Sequence, residues 1–231
     1  VRVALLHGFA GTARAWDDTV AAWPRAAGHE LIAVALPGHG GGVAQPGWDA
    51  NLDAVGASVA AARADAVVGY SFGARLALGL LAAGQTRRAV LIGVNPGIDD
   101  ADRPARGSAD AAWAAMLRDR GIAAFADAWQ AQPLFATQAR VPAARLAERR
   151  AQRLALDPAQ LARALDEMGL AAMPDYRPHA ARATLVAGAD DVKFVAIAHA
   201  LGLPCQTIAG SGHDPTLERP VELAALLASL L

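Results

Sequence analysis

The pentapeptide Gly69-Tyr70-Ser71-Phe72-Gly73 sets a serine between an apolar run ending at Val68 and a segment of helical period beginning near Phe72. Gly-x-Ser-x-Gly at a strand-to-helix junction is the spacing of a nucleophile elbow. The serine occupies a sharp turn, and the glycines two residues away on either side let the strand and helix backbones approach. A serine hydroxyl is a poor nucleophile or base at neutral pH unless a histidine takes its proton and a carboxylate orients that histidine. Both partners are expected further along the chain, in the order Ser, Asp, His. His213 lies in the glycine-rich run Gly210-Ser211-Gly212-His213-Asp214, ahead of the last helical stretch, and supplies the base. Asp190 and Asp191 stand side by side after the apolar run 184–187. Only one can point at His213; Asp191 is favoured, with the other left as an exposed loop carboxylate. The bland alternatives are a helix N-cap for Ser71 and a turn residue for His213. His29, His179 and His199 have no motif around them and read as surface groups, while His7 and His39 read as structural hydrogen-bonding residues.

The elements that must position these groups follow from periodicity. Runs 1–6, 31–35, 66–68, 89–92, 184–187 and 206–208 read as strands, and segments of helical period such as 51–63 and 72–83 lie between most of them. This alternation predicts an α/β fold with a mostly parallel, doubly wound sheet. It breaks after Pro96-Gly97. From 101 to 182 the chain reads as helical throughout, punctuated by Pro133, Pro142, Pro158 and Pro174. The expected organisation is therefore a core of residues 1–100 and 183–231 with a helical cap, 101–182, inserted. The cap holds 12 Arg against 9 Asp+Glu, and the remainder 9 Lys+Arg against 13 acids. Most such arginines belong to solvated helix faces, but some can face a cleft and bind anionic groups.

Bulk properties bound the rest. A chain of 231 residues with 54% hydrophobic and 19% charged residues buries a full core as one domain. A formal net charge of -1 gives no signature of nucleic-acid binding or of a polybasic membrane anchor, and a small molecule is the expected partner. No apolar run reaches the roughly 18 to 20 residues that span a bilayer. The single cysteine, Cys205, precludes an internal disulfide and a cysteine-rich metal site, fits a reducing compartment, and reads as a bystander. The expectation is a cytoplasmic monomer or weak homo-oligomer without metal or cofactor. The sequence starts at Val1, which leaves an upstream leader open.

Taken together, these motifs resemble the α/β-hydrolase superfamily along the whole chain. Within it, the extended elbow 69–78 and the run Gly188-Ala189-Asp190-Asp191-Val192-Lys193-Phe194 resemble the 2-succinyl-6-hydroxy-2,4-cyclohexadiene-1-carboxylate synthases of menaquinone biosynthesis. So do Trp129 with Gln132-Pro133-Leu134-Phe135, the run 153–158, and Met168-Gly169 in the cap. In that family one residue separates the catalytic aspartate from Lys-Phe, which selects Asp191. The run 5–11, with Gly8, Phe9 and Gly11, matches the family's oxyanion loop, so the resemblance assigns the backbone N–H groups of Phe9 and Phe72 to stabilising negative charge. Leu36-Pro37-Gly38-His39-Gly40 matches another family loop. The resemblance further implies a substrate with three carboxylates held by Arg75, Arg106 and Arg153, with Arg103 the alternative to Arg106. Trp129 and Tyr70 would complete the substrate site, with cap core the alternative for Trp129 and packing the alternative for Tyr70, and Lys193 would be a structural neighbour of the acid loop.

The implied chemistry is proton abstraction and elimination: Ser71, deprotonated by His213 with Asp191 behind it, takes a ring proton and pyruvate departs. It needs no acyl-enzyme and no metal. A serine hydrolase acting on a small ester, thioester or carbon–carbon bond would use the same triad, and only the arginines and the Lys-Phe run separate the two. A catalytically silent binding protein on the same scaffold is disfavoured by the intact Ser, His and Asp set.

Overall fold

The computed structural model describes residues 1–40 and 42–231. Six strands form one sheet: β1 (Arg2–Leu6), β2 (Glu30–Val34), β3 (Ala66–Tyr70), β4 (Ala89–Ile92), β5 (Thr184–Gly188) and β6 (Cys205–Ile208), in the order β2-β1-β3-β4-β5-β6. Every ladder is parallel, which tightens the expectation of a mostly parallel sheet. Parallel strands need crossover connections, and these are helices: α1 (Asp17–Ala21), α2 (Trp48–Ala61), α3 (Phe72–Ala82), α4 (Arg103–Gln130), α5 (Ala143–Leu154), α6 (Pro158–Met168), α7 (Val192–Ala200), α8 (Pro215–Glu218) and α9 (Pro220–Leu230).

Both faces of the sheet are covered, which is why its central strands read as unbroken apolar runs. Alternate side chains go to opposite layers. Ala4, Leu6 and Val67 pack with Leu52, Leu76 and Leu80 of α2 and α3. Val3, Leu5, Val68 and Tyr70 pack with Trp16, Trp23, Leu223 and Leu227 on the α1 and α9 side. A third apolar cluster, with Leu117, Phe125, Leu161 and Leu165, joins α4 to α6 and touches Ala10 in the loop after β1.

Between β4 and β5 the chain forms α4, a 3-10 segment (Pro133–Arg140), α5 and α6. Pro133 opens the 3-10 segment, Pro142 precedes α5 and Pro158 is the first residue of α6, so the prolines sit where their missing N–H groups cost no intrahelical bond. Asp157 caps α6 by accepting from the N–H groups of Ala159 and Gln160. The segment departs from the helical-throughout expectation at two places. Gly121 breaks α4 with φ 76°, and residues 169–176, which contain Gly169 and Pro174, are turns and loop. Among the described residues no helix is long and apolar enough to cross a membrane.

Candidate active site

The strand order reverses direction between β1 and β3, and their carboxyl ends are where α/β sheets present ligand sites. Ser71 follows β3 directly, with φ 52° and ψ -105°, a conformation a side chain adopts only under strain. The neighbouring glycines explain how the turn is built. A Cβ at Gly69 would collide with the backbone of Gly73 and Ala74, and one at Gly73 with the carbonyl oxygens of Leu6 and His7. The Gly73 N–H donates to the His7 carbonyl at 3.0 Å, tying the elbow to the loop after β1.

His213 Nε2 lies 3.0 Å from Ser71 Oγ, and its Nδ1 lies 2.7 Å from Asp191 Oδ2. With the carboxylate ionised, Nδ1 carries the proton and donates it, which leaves Nε2 to accept from the serine hydroxyl. His213 and Asp191 are buried. Asp190 faces outward and pairs with Arg140 at 2.6 Å. The close approach of the two loops depends on Gly188, where a Cβ would meet the Ser211 and Gly212 carbonyls. Phe194 stacks on the imidazole with ring centroids 4.5 Å apart and planes 28° from parallel, and the Lys193 ammonium lies 5.5 Å from the Phe194 ring centre.

Ser71 and His213 line a cavity of about 290 Å³ together with Phe9, Phe72, Trp113, Trp129, Arg75, Arg106, Asp110 and Lys193. The N–H groups of Phe9 and Phe72 donate to no other protein group among the described residues, so both remain available to a ligand oxygen. Trp129 stacks on Phe125 and also packs against Phe9 and Trp113. Arg75, four residues after the serine, gives Nη1 to the Met168 carbonyl at 3.1 Å and lies over the Phe72 ring. Burial pushes its guanidinium down to about 10, with repulsion from Arg106 adding to the effect and Asp110 opposing it. Arg106 binds Asp110 through Nε and Nη2.

Two expected substrate contacts, Arg153 and Tyr70, and the alternative to Arg106 lie outside the Ser71 cavity. Arg103 does not line the cavity; it is held by Asp100 and the carbonyls of Ala171 and Met173. Arg153 and Tyr70 line a smaller recess beside Phe9 and Trp129 instead of the Ser71 cavity. Arg153 is buried, donates from Nε to the Ala10 carbonyl at 3.4 Å and from Nη1 to Gln130 at 3.3 Å, and joins no ion pair among the described residues. Burial brings it down to about 10, with Arg149 adding to the effect. Tyr70 packs behind His213, ring centroids 5.5 Å apart, because strand alternation sends it to the α1 and α9 side of the sheet. Sequence reasoning did not single out Asp110; its signal was the four-residue spacing from Arg106 on one helix. Nor did it assign a role to Phe194. No cluster of three or more metal-ligating side chains occurs among the described residues.

His7 and His39 are fully buried beside the Phe9 loop. The His7 Nδ1–H donates to the Gly8 carbonyl and the His39 Nδ1–H to that of Pro37, each at 2.9 Å, and neither Nε2 has a partner among the described residues. Burial holds His7 near 3, with His39 contributing, and His39 near 4.

The alpha/beta hydrolase family matches residues 3–226. The chain belongs to this family. Within the family, it is 32% identical to 2-succinyl-6-hydroxy-2,4-cyclohexadiene-1-carboxylate synthase of Enterobacter sp. (strain 638), a match covering 98% of this chain and 90% of the relative. It is 34% identical to the synthase of the same name from Klebsiella pneumoniae (strain 342), covering 98% and 92%. Among solved structures it resembles MenH from S. aureus, with a TM-score of 0.90, 26% identity and coverage of 100% of this chain and 92% of the other. This hydrolase-family chain is thus an enzyme similar over nearly its full length to those synthases.

Proposed function

We propose that the chain is a carbon–oxygen lyase that converts 2-succinyl-5-enolpyruvyl-6-hydroxy-3-cyclohexene-1-carboxylate to the 2,4-cyclohexadiene with loss of pyruvate, in menaquinone biosynthesis. The observation that carries this reading is the pairing of Ser71 and His213 with the guanidinium groups of Arg75 and Arg106 in one cavity. A site for a neutral ester has no need of two arginines, whereas a polycarboxylate needs such partners. The full-length similarity to the synthases supports the same reading.

The chemistry balances with the chain's own groups. His213 takes the Ser71 proton, with Asp191 holding the imidazole in the required tautomer and balancing its charge. The Ser71 oxygen takes the ring proton at C2, next to the succinyl carbonyl. That electron pair forms the C2=C3 bond, the C3=C4 pair moves to C4=C5, and the C5–O bond breaks. The departing enolpyruvate takes up a proton and becomes pyruvate. The Phe9 and Phe72 N–H groups meet negative charge developing on the carbonyl oxygen, and the arginines fix the carboxylates. Ser71 acts here as a base and forms no bond to carbon. The segment 101–182 would serve as the cap over this site, its α4 and α6 residues forming walls of the cavity, and the enzyme would work in the cytoplasm on a small anionic substrate.

The test is to incubate purified protein with the enolpyruvyl substrate and follow pyruvate with a coupled dehydrogenase, comparing wild type with Ser71→Ala and Arg75→Ala. Both variants should lose most of the activity. Brisk hydrolysis of p-nitrophenyl esters with no pyruvate release would replace the lyase reading with that of a serine hydrolase.

A further inference from the structure

Asp110, on α4, is the one carboxylate among the described residues that line the Ser71 cavity, and it is only 4% exposed. Separate parts of the chain converge on it. Arg106, one helical turn earlier, sends Nε to both carboxylate oxygens at 3.0 Å and Nη2 to Oδ1 at 2.7 Å. Gly169 leaves room for it, since a Cβ there would stand 2.6 Å from Asp110 Oδ2. The adjacent Met168 carbonyl accepts from Arg75. The Met168-Gly169 step therefore anchors one arginine and makes space for the counter-ion of the other.

A fixed carboxylate in a cavity that takes an anion works against binding, by Coulomb repulsion in a partly desolvated site. Its geometry states what it does. Two guanidinium groups and one carboxylate leave this corner a single net positive charge, and Asp110 occupies the Nε/Nη2 edge of Arg106, one of the two edges on which a ligand carboxylate could bind in the two-point manner. We propose that Asp110 is a specificity-determining counter-ion that limits the Arg75–Arg106 corner to one ligand carboxylate. It rests on the reading of the cavity as an anion site but not on which bond the enzyme breaks. A ligand bearing two close carboxylates gains little from the second; one whose carboxylates are spread around a ring places one here and the others elsewhere.

Direct titration calorimetry with succinate and with its monoamide, succinamate, tests this without any turnover. Wild type should bind the two within about twofold of each other. Asp110→Asn keeps the shape and one hydrogen bond to Arg106 but frees a charge, so it should tighten succinate about tenfold and succinamate less, raising the ratio between them; an effect of this size is ordinary for one charge in such a site. Arg106→Gln should weaken succinate about tenfold, and the Arg106→Gln/Asp110→Asn double variant should recover to within about threefold of wild type. If Asp110→Asn weakens both ligands alike, Asp110 merely holds Arg106 in place and the proposal is overturned. The same holds if wild type already prefers succinate tenfold, or if neither ligand binds the wild-type cavity. Pyruvate release is measured separately, so a protein that binds as expected but eliminates nothing would sink the lyase reading while leaving the counter-ion standing.

Discussion

Arg149 of α5 forms a largely buried ion pair with Asp214, the residue next to His213, at 3.1 Å. The same guanidinium reaches the Ala15 carbonyl and the Thr216 hydroxyl. Arg145, Arg149 and Arg153, spaced by four on one helix face, thus reach Asp18, Asp214 and the Ala10 carbonyl in turn, so this helix is fastened to the loops that carry His213 and Phe9. Removing one partner of a buried pair strands the other charge. Arg149→Met should therefore destabilise the protein by about 3–5 kcal/mol in urea unfolding. Arg145→Met, which breaks a more exposed pair, should cost under about 1 kcal/mol. Adding Asp214→Asn to Arg149→Met should cost less than the sum of the two single changes; strict additivity would show that the pair is not coupled.

The two adjacent carboxylates give a second contrast. Asp191 accepts from His213 and is buried, whereas Asp190 meets Arg140 at the surface. Asp191→Asn should lower the turnover rate by about 10³–10⁴-fold, because the amide favours the wrong imidazole tautomer. Asp190→Asn should leave it within about twofold. Similar losses from both variants would show that the acid loop, and not one carboxylate, supports the histidine.

How much of this was legible in the sequence depended on whether a constraint was local. The strand read at 66–68, which runs on to Tyr70, was legible because burial on both faces demands an uninterrupted apolar run, and the elbow because close backbone approach leaves glycine alone at 69 and 73. Strand alternation also contained the information that Tyr70 shares a face with Val68 and so packs behind His213, which decides between the cleft-wall and packing alternatives the motif left open. The arginines of the segment 101–182 were harder. Their charge says that some ligand or carboxylate must answer them, and only the turn of each helix decides which. Arg153 lands on a carbonyl and a glutamine, Arg106 on its own i+4 aspartate, and Arg149 on a residue 65 positions away. Neither composition nor spacing fixes a partner at that separation.

The backbone at Ser71 offers a test of strain at the elbow. Its φ of 52° with ψ of -105° suits glycine and penalises any side chain, commonly by about 1–3 kcal/mol. Ser71→Gly and Ser71→Ala both remove the hydroxyl that His213 faces, so both should abolish pyruvate release. They should differ in stability, with Ser71→Gly the more stable by about 1 kcal/mol or more in thermal or urea unfolding. Equal stabilities, or a more stable alanine variant, would show that the turn holds no such strain.

The last prediction concerns acid. His7 and His39 sit in contact, ring centroids 5.4 Å apart, and burial keeps both neutral, His39 down to about 4 and His7 to about 3, from the ordinary 6.5. In the unfolded chain both take up protons near 6.5. Between about 6.5 and about 4 the unfolded state therefore binds more protons than the folded one, so this contribution to stability is complete above 6.5 and falls as the pH drops. For His39 alone a displacement of that size corresponds to a loss on the order of 3 kcal/mol by pH 4. Urea unfolding of wild type and His39→Gln between pH 7.5 and 4.5 isolates the effect, since glutamine can still donate to the Pro37 carbonyl but cannot titrate. The wild-type curve should fall more steeply with acid than that of the variant, and the gap should open only below about 6.5. Parallel curves would assign the acid sensitivity to the carboxylates and leave the buried histidine without a part in it.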